Sequence, residues 1–198
     1  MTPISFDPRL DHCPLCRSPR IAPYDRDSKG ITIDRCGDCR LLFMNPQYTQ
    51  AYLDAYYASY ITDDQRDGRE DERKRAQKRA AIDLVQRFRT GGRFLAVGCG
   101  GGLELEVARD QGFEVEGYDV DPDTTAAVAA RLGVPVHHGS FDQLDLTPGG
   151  YGCIFADQML EHPKDPAGYL RRFRELLAPD GVLYLGVPNL ASLSAGVK

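Results

Sequence analysis

The stretch FLAVGCGGG, at residues 94–102, joins a short apolar run to a cluster of glycines. The run over 94–97 is typical of a buried strand, and residues 103–111 have the pattern of a helix. Glycines at such a junction allow a tight turn, and they let a ligand approach the backbone N–H groups closely. The stretch therefore predicts a strand–turn–helix unit that binds a ligand at the carboxyl end of the strand.

Helical and strand-like patterns alternate from about residue 69 onward. Helices are predicted over residues 70–89, 103–111, 124–132 and 167–177. Five strands are predicted over residues 94–97, 113–119, 134–136, 152–157 and 182–187. Because alternating strands and helices require crossover connections, the pattern predicts an α/β fold with a doubly wound, mostly parallel sheet.

An acidic residue, Asp119, ends the second predicted strand of this sheet. A carboxylate at that position can accept two hydrogen bonds from a ribose diol. Leu103 stands where a dinucleotide fingerprint read from Gly98 requires glycine, and no Gly-Lys-Ser/Thr sequence follows the turn. The pattern therefore favours a nucleoside-containing ligand without a pyrophosphate group.

Four of the six cysteines form two C-x-x-C pairs within residues 1–48. This spacing lets four thiolates surround one tetrahedral ion, and it predicts a structural Zn²⁺ site in a small zinc ribbon. The predicted ligands are Cys13, Cys16, Cys36 and Cys39. A ribbon that keeps its shape without metal is the alternative. A redox pair is disfavoured because the motif is doubled and precedes the sheet.

Composition narrows the classes of function. The chain has 198 residues, 24 basic and 29 acidic side chains and a net charge of −5, which disfavours nucleic acid as a partner. No apolar run is long enough to span a membrane, and the N-terminus lacks the features of a signal peptide. Unpaired cysteines suit a reducing compartment, so we expect a cytoplasmic protein.

Three further segments give the chain a recognisable family pattern. They are GYDVDP at 117–122, YGCIFADQMLEH at 151–162 and LAPDGVL at 177–183. With residues 94–102, they resemble the motifs of class I S-adenosylmethionine (SAM) dependent methyltransferases. The cysteine region, followed by MNP at 44–46 and several tyrosines, resembles the zinc ribbon fused ahead of one bacterial branch of that family.

The resemblance implies a Rossmann-like sheet of order 3-2-1-4-5 and a role for each motif residue. Gly98, Gly100 and Gly102 would line the methionine part of SAM, and Asp119 would hold the ribose. Ser140 and Phe141 would flank the adenine, while Ala156 and Asp157 would lie beside the sulfonium and methionine end. Two alternatives stay open: Asp119 as a helix cap before Pro122, and Phe141 as ordinary core packing.

The sequence departs from the family at several positions. The family usually has an acid where Ala96, Ser140 and Gly152 stand, and it usually has two strands after the fifth. The fifth strand would then be an uncovered edge, prone to pairing with another chain. A missing C-terminal segment, a homodimer or a partner that supplies the missing strands would each cover it, and we favour a shortened chain.

These observations predict three regions: a zinc ribbon over 1–48, a tyrosine-rich linker or lid over 49–68, and a SAM-binding domain over 69–198. The leading hypothesis is methyl transfer to a small acceptor, such as a sugar, a lipid or a quinone-like metabolite. His162 is the candidate base, although a residue that fixes the turn after the fourth strand is the interpretation that we favour for it. The alternative is a catalytically weak binding module with a protein-interacting ribbon.

Overall fold

The computed structural model describes residues 3–26, 30–57, 63 and 71–189. Its N-terminal part contains a small antiparallel sheet of three strands in the order β1-β2-β3. The strands are β1 Ile21–Arg26, β2 Thr32–Cys36 and β3 Leu42–Met44. One C-x-x-C pair precedes β1, and the other begins at the last residue of β2. The small sheet therefore brings together cysteines that lie twenty or more positions apart.

A buried polar network holds the N-terminal segment against this sheet. The guanidinium of Arg9 donates to both carboxylate oxygens of Asp34, at 2.9 and 2.8 Å. The side-chain amide of Asn45, which is fully buried, donates to Asp34 and accepts from the backbone N–H of Leu10. A buried carboxylate is costly without partners, so these hydrogen bonds stabilise Asp34 and hold the N-terminal segment against the sheet.

Helix α1, Gln50–Tyr57, follows the small sheet. A chain of aromatic rings lies along one side of it: Phe6 packs on Tyr48, Tyr48 on Tyr52 and Tyr52 on Tyr56, with centroids 5.2, 4.7 and 6.4 Å apart. Aromatic contacts of this kind bury large apolar areas. They fix α1 to the N-terminal segment. Tyr60, another tyrosine of the predicted linker, lies outside the described residues.

The second part of the chain is an α/β unit with a parallel five-stranded sheet, which confirms the predicted fold class. Its helices are α2 Glu72–Gln86, α3 Leu103–Asp110, α4 Pro122–Leu132 and α5 Pro166–Leu176. Its strands are β4 Gly92–Val97, β5 Phe113–Tyr118, β6 Val136–His137, β7 Tyr151–Asp157 and β8 Leu177–Gly186. The observed order, β6-β5-β4-β7-β8, is the predicted 3-2-1-4-5.

Two of the element boundaries that differ from the sequence-based predictions have clear physical reasons. Helix α4 begins at Pro122, earlier than predicted, because the side chain of Asp121 caps it and proline fits the first helical turn. Strand β8 begins at Leu177 because Leu177 pairs with Tyr151 before the register shifts and Val182 pairs with Cys153. Tertiary pairing thus extends β8 through a segment that reads locally as a turn.

The core lies on both faces of the parallel sheet. One cluster packs α2, α3 and α4 against inward-facing side chains such as Phe94 and Phe155. The other packs α5 and the segment after β6 against Leu95, Ile154 and their neighbours. Strand β8 forms one end of the sheet, and among the described residues Leu185 there is partly exposed. No described helix has the length and apolar character needed to cross a bilayer.

An ion-pair cluster joins α2 to the carboxyl end of the sheet. The Nζ atom of Lys78 lies 3.0 Å from a carboxylate oxygen of Asp157 and 3.7 Å from one of Glu104. Burial raises the pKa of the Glu104 carboxyl, and the charge of Lys78 offsets part of that effect. Burial lowers the pKa of Lys78, but the two carboxylates outweigh burial and raise it. Helix α2 thus carries an inward-facing lysine.

Replacing this lysine is expected to destabilise the fold. Lys78→Met removes the ammonium and leaves two carboxylates without their counterion. We expect a loss of about 2–3 kcal/mol in the free energy of unfolding, below the ~3–5 kcal/mol of a fully buried pair. The expected loss is smaller than for a fully buried pair because 21% of the Lys78 side chain is exposed to solvent. Urea denaturation at neutral pH measures this loss.

The loss should shrink as the pH falls, because a protonated carboxyl needs no counterion and the pKa of Glu104 already stands above its ordinary value. Lys74→Met, on the exposed side of the same helix, is the matched control and should change stability little. Equal effects of the two substitutions at neutral pH would contradict a structural role for the Lys78 cluster.

Candidate active site

Backbone hydrogen bonds tie the glycine turn after β4 to the neighbouring strand β5. The N–H groups of Gly98 and Cys99 both donate to the carbonyl of Tyr118, at 2.8 and 2.9 Å. Gly98 has φ +78°, and a Cβ there would lie 2.7 Å from Cγ of Met159. Glycine is therefore required at 98 by both its backbone conformation and its close neighbour.

Asp119 fastens the same turn from the end of β5. Its Oδ2 accepts the N–H of Gly100 at 2.8 Å, and its Oδ1 accepts the N–H of Asp121 at 3.2 Å. Burial raises the pKa of the Asp119 carboxyl, and these backbone N–H groups counteract part of that rise. Each carboxylate oxygen has two acceptor positions, so both keep capacity for a hydroxyl donor from a ligand.

The structure separates the roles of the two neighbouring aspartates. Asp121 is the N-cap of α4, because its carboxylate accepts the N–H of Asp123 and the hydroxyl of Thr124. Asp119 accepts the N–H of that cap residue and also reaches back to the Gly100 N–H of the glycine turn. Asp119 therefore joins the glycine turn to the start of α4, and it borders the cavity.

A cavity of about 680 Å³ opens at the carboxyl ends of the strands. Its volume is in the range of pockets that hold small molecules and cofactors. One side is formed by the glycine turn and the segments after β5 and β6. The predicted site residues that line the cavity are Gly98, Gly100, Asp119, Ser140, Phe141 and His162.

Ser140 and Phe141 lie on the same wall but differ in their surroundings. Ser140 is exposed, and its hydroxyl donates to the carboxylate of Asp142, which also lines the cavity. Phe141 is 2% exposed, and its ring stacks on Tyr169 with centroids 4.9 Å apart. Phe141 thus packs in the core and borders the cavity, so the two interpretations of this residue are compatible.

Three predicted site residues do not line the cavity. Gly102 is at the N-cap of α3 with φ +80°, where a Cβ would lie 2.6 Å from Val128. Ala156 is fully buried in the core of the sheet. Asp157 turns away into its ion pair with Lys78. Gln158 and Met159, which follow β7, line the cavity in their place.

Two of the positions that depart from the family have local packing reasons. Ala96 is fully buried in the cluster beneath α2 and α3. At Gly152, a Cβ would lie 2.9 Å from Nε of Arg89, so the guanidinium occupies the space of a side chain. That guanidinium pairs with Asp180 at 2.5 Å. The Arg89 guanidinium thus lies in the side-chain space at Gly152, and the buried position of Ala96 suits an apolar residue.

Helix α1 forms the other side of the cavity, which sequence reasoning left undecided between a lid and packing. Its lining residues, Gln50, Leu53, Asp54 and Tyr57, are three and four positions apart and therefore share one helix face. Tyr52 and Tyr56 instead belong to the aromatic chain. The structure thus combines both roles, with one face of α1 over the cavity and another packed on the N-terminal segment.

The predicted base, His162, meets α1 across the cavity. Its Nδ1 lies 2.9 Å from the hydroxyl of Tyr57, and its Nε2 lies 3.9 Å from a carboxylate oxygen of Glu161. The backbone N–H of His162 also donates to the carbonyl of Met159, which closes the turn after β7. His162 therefore both fixes the turn and presents its ring to the cavity.

The four N-terminal cysteines converge on one point. Their Sγ atoms all lie within 4.8 Å of one another, with Cys13–Cys39 and Cys16–Cys36 each at 3.6 Å. These distances are too long for disulfides, and all four thiols are free. The backbone N–H of Cys39 lowers the pKa of the Cys36 thiol to about 7. Four sulfurs at these distances fit a tetrahedral soft cation such as Zn²⁺.

Comparison with known proteins points to one class of relatives. The chain is 36% identical to a ubiquinone biosynthesis O-methyltransferase from Xanthomonas euvesicatoria over 107 residues, which cover 50% of this chain and 44% of that protein. It is 33% identical to a probable SAM-dependent methyltransferase from Mycolicibacterium smegmatis, over 52% of this chain and 40% of that protein. The matched part thus spans less than half the length of these relatives.

Solved structures share the fold. A SAM-bound amino pentose methyltransferase from Micromonospora echinaspora superimposes with a TM-score of 0.52 at 25% identity, over 72% of this chain and 58% of that one. A complex of a Haloferax volcanii methyltransferase activator with a methyltransferase gives a TM-score of 0.54 at 23% identity, over 68% of this chain and 59% of that one. The second of these supports the fold alone.

A family model described as a methyltransferase domain matches residues 71–196. This range contains the parallel sheet, the glycine turn and Asp119. Since the match extends over more than half of the chain, the chain belongs to the methyltransferase domain family.

Proposed function

We propose that the chain is a SAM-dependent methyltransferase acting on a small-molecule acceptor. The observation that supports it most is the Asp119 carboxylate, which borders the cavity beside the glycine turn with acceptor capacity to spare. A ribose diol can use that capacity, as the ribose of adenosine cofactors does in related sheets. Gly98 and Gly100 would then receive the methionine part, and Ser140 and Phe141 the adenine.

In methyl transfer from SAM, the protein contributes binding and orientation more than covalent chemistry. SAM supplies an activated methyl group when it is bound, and the residues of the chain hold the partners in line and exclude water. Asp119 and the glycine turn would orient the donor, while α1 covers the cavity from the opposite side. His162 would accept a proton from the acceptor, since its ring borders the cavity.

The α1 part of the cavity offers both polar and apolar contacts to a small molecule. Gln50, Asp54, Tyr57 and His162 offer hydrogen-bonding groups around Leu53. The curated relative from Xanthomonas acts in ubiquinone biosynthesis, and the Micromonospora neighbour methylates an amino pentose. A sugar or a quinone-like metabolite is therefore a reasonable acceptor class for this chain. A nucleic-acid acceptor is disfavoured by the net charge of −5.

We also propose a division into three regions and a structural metal. Residues 1–48 would form a zinc ribbon in which Cys13, Cys16, Cys36 and Cys39 hold Zn²⁺, and the sulfur distances support this. Residues 49–68 would form the linker and lid, and residues 69–198 the SAM-binding domain. Free thiols throughout the described residues fit a reducing compartment such as the cytoplasm.

Titration calorimetry with SAM and with its demethylated product tests the cofactor. Both should bind the wild-type chain, and Asp119→Asn should weaken the binding of SAM by roughly 10–100-fold, because one or two hydrogen bonds to a charged acceptor are lost. Asn keeps one oxygen for the Gly100 N–H but turns its NH2 group toward the Asp121 N–H, so thermal unfolding of the variant checks that the turn survives.

The matched control is Asp123→Asn, which removes one charge nearby at a residue that does not line the cavity. It should bind SAM as the wild type does. No detectable binding of SAM to the wild-type chain at millimolar concentration would refute the proposed cofactor and leave the binding-module alternative.

Metal analysis and limited proteolysis test the ribbon. The purified chain should contain a single zinc ion, and a chelator should make residues 10–45 sensitive to protease while the parallel sheet stays resistant, because so small a sheet has little apolar core of its own. Cys16→Ser should lower the zinc content. Cys153→Ala, a buried cysteine outside the cluster, should retain it. Unchanged protease resistance after verified loss of metal would argue against a structural metal.

A further inference from the structure

The contact between Tyr57 and His162 is made by residues 105 positions apart in the chain. Tyr57 comes from α1, and His162 comes from the turn after β7. Besides the 2.9 Å contact between Oη and Nδ1, the two rings meet edge to face, with centroids 5.8 Å apart and planes at 87°. Two interactions of different kinds therefore fix the orientation of one imidazole at the edge of the cavity.

The two imidazole nitrogens have different neighbours. Nδ1 faces the Tyr57 hydroxyl, and Nε2 lies 3.9 Å from the Glu161 carboxylate, which is beyond hydrogen-bond distance. A neutral histidine carries its proton on only one nitrogen, and the partner of one nitrogen decides the state of the other. A tyrosine hydroxyl can accept as well as donate, so it can accept the proton of Nδ1–H and leave the lone pair on Nε2.

The contact between Tyr57 and His162 depends on where helix α1 lies. Tyr57 lies on the same helix face as Gln50, Leu53 and Asp54, all of which line the cavity with His162. The helix is held in place by the packing of its Tyr52 on Tyr48. The Tyr57 hydroxyl therefore reaches His162 from a packed helix, which restricts the positions that it can take.

We propose that Tyr57 is a positioning residue that holds His162 in the Nδ1–H tautomer, so that Nε2 takes a proton from the methyl acceptor. This inference rests on the proposed function. The bond between the acceptor oxygen or nitrogen and its proton breaks, and the proton goes to Nε2. The freed electron pair of the acceptor forms the bond to the methyl carbon, and the pair of the carbon–sulfur bond remains on sulfur. Glu161 stabilises the imidazolium charge that results.

Nitrogen-15 NMR of the imidazole rings tests the proposal without an acceptor, because the two tautomers have distinct nitrogen shifts. The chain has four histidines, and the signals that disappear in His162→Gln assign that ring. In the wild type, His162 should be mainly the Nδ1–H tautomer. Tyr57→Phe keeps the aromatic ring and removes the hydroxyl, and it should change the tautomer ratio by roughly fivefold toward Nε2–H, the effect of one neutral hydrogen bond.

Tyr52→Phe is the matched control, because Tyr52 is on the same helix and belongs to the aromatic chain rather than to the cavity lining. It should leave the His162 signals as in the wild type. A wild-type ring that is mainly Nε2–H, or a ratio that is the same in Tyr57→Phe, would overturn the proposal.

Calorimetry with SAM on the same variants separates this inference from the proposed function. Tyr57→Phe should bind SAM as tightly as the wild type, because Tyr57 lies on α1, which the proposed function assigns to the acceptor rather than to SAM. A large loss of SAM affinity in Tyr57→Phe would assign the hydroxyl to the cofactor and overturn the positioning role. Failure of the wild type to bind SAM would instead refute the proposed function, whatever the tautomer.

Discussion

The carboxylate of Asp119 is the contact on which the active-site region depends. It joins the end of β5 to the turn after β4 through the Gly100 N–H, and it holds the start of the next segment through the Asp121 N–H. A buried carboxylate is stable only when such donors surround it. The donors place Asp119 at the rim of the cavity, where its oxygens keep further acceptor positions. In the proposed function, one side chain would serve both folding and cofactor recognition.

The buried carboxylates near the carboxyl ends of the strands are stabilised in two ways. Asp119 uses backbone N–H groups, whereas Glu104 and Asp157 share the ammonium of Lys78 on α2. The second arrangement draws Asp157 away from the cavity, although the resemblance to the methyltransferase family implied a cofactor-binding role for it. That role stays a prediction. In its place, the turn residues Gln158 and Met159 reach the cavity.

The N-terminal region does more than precede the sheet. Its aromatic chain from Phe6 through Tyr48 packs on α1, and the ion pair between Lys164 and Asp7 ties it to the segment after β7. As a result α1 lies over the cavity with Tyr57 against His162. The N-terminal segment therefore holds the helix that lines part of the cavity.

The sequence by itself determined the α/β class, the glycine turn with Asp119 and the cysteine set, because each depends on local periodicity or on short, fixed spacings. The strand order was implied by the resemblance to a known family and is confirmed by the sheet. Only the tertiary structure decided that Leu177 starts β8, that Lys78 turns inward and that Tyr57 meets His162. Each of these depends on a contact between residues far apart in the chain. Such contacts leave no periodic signal in the sequence, since packing alone selects the partner.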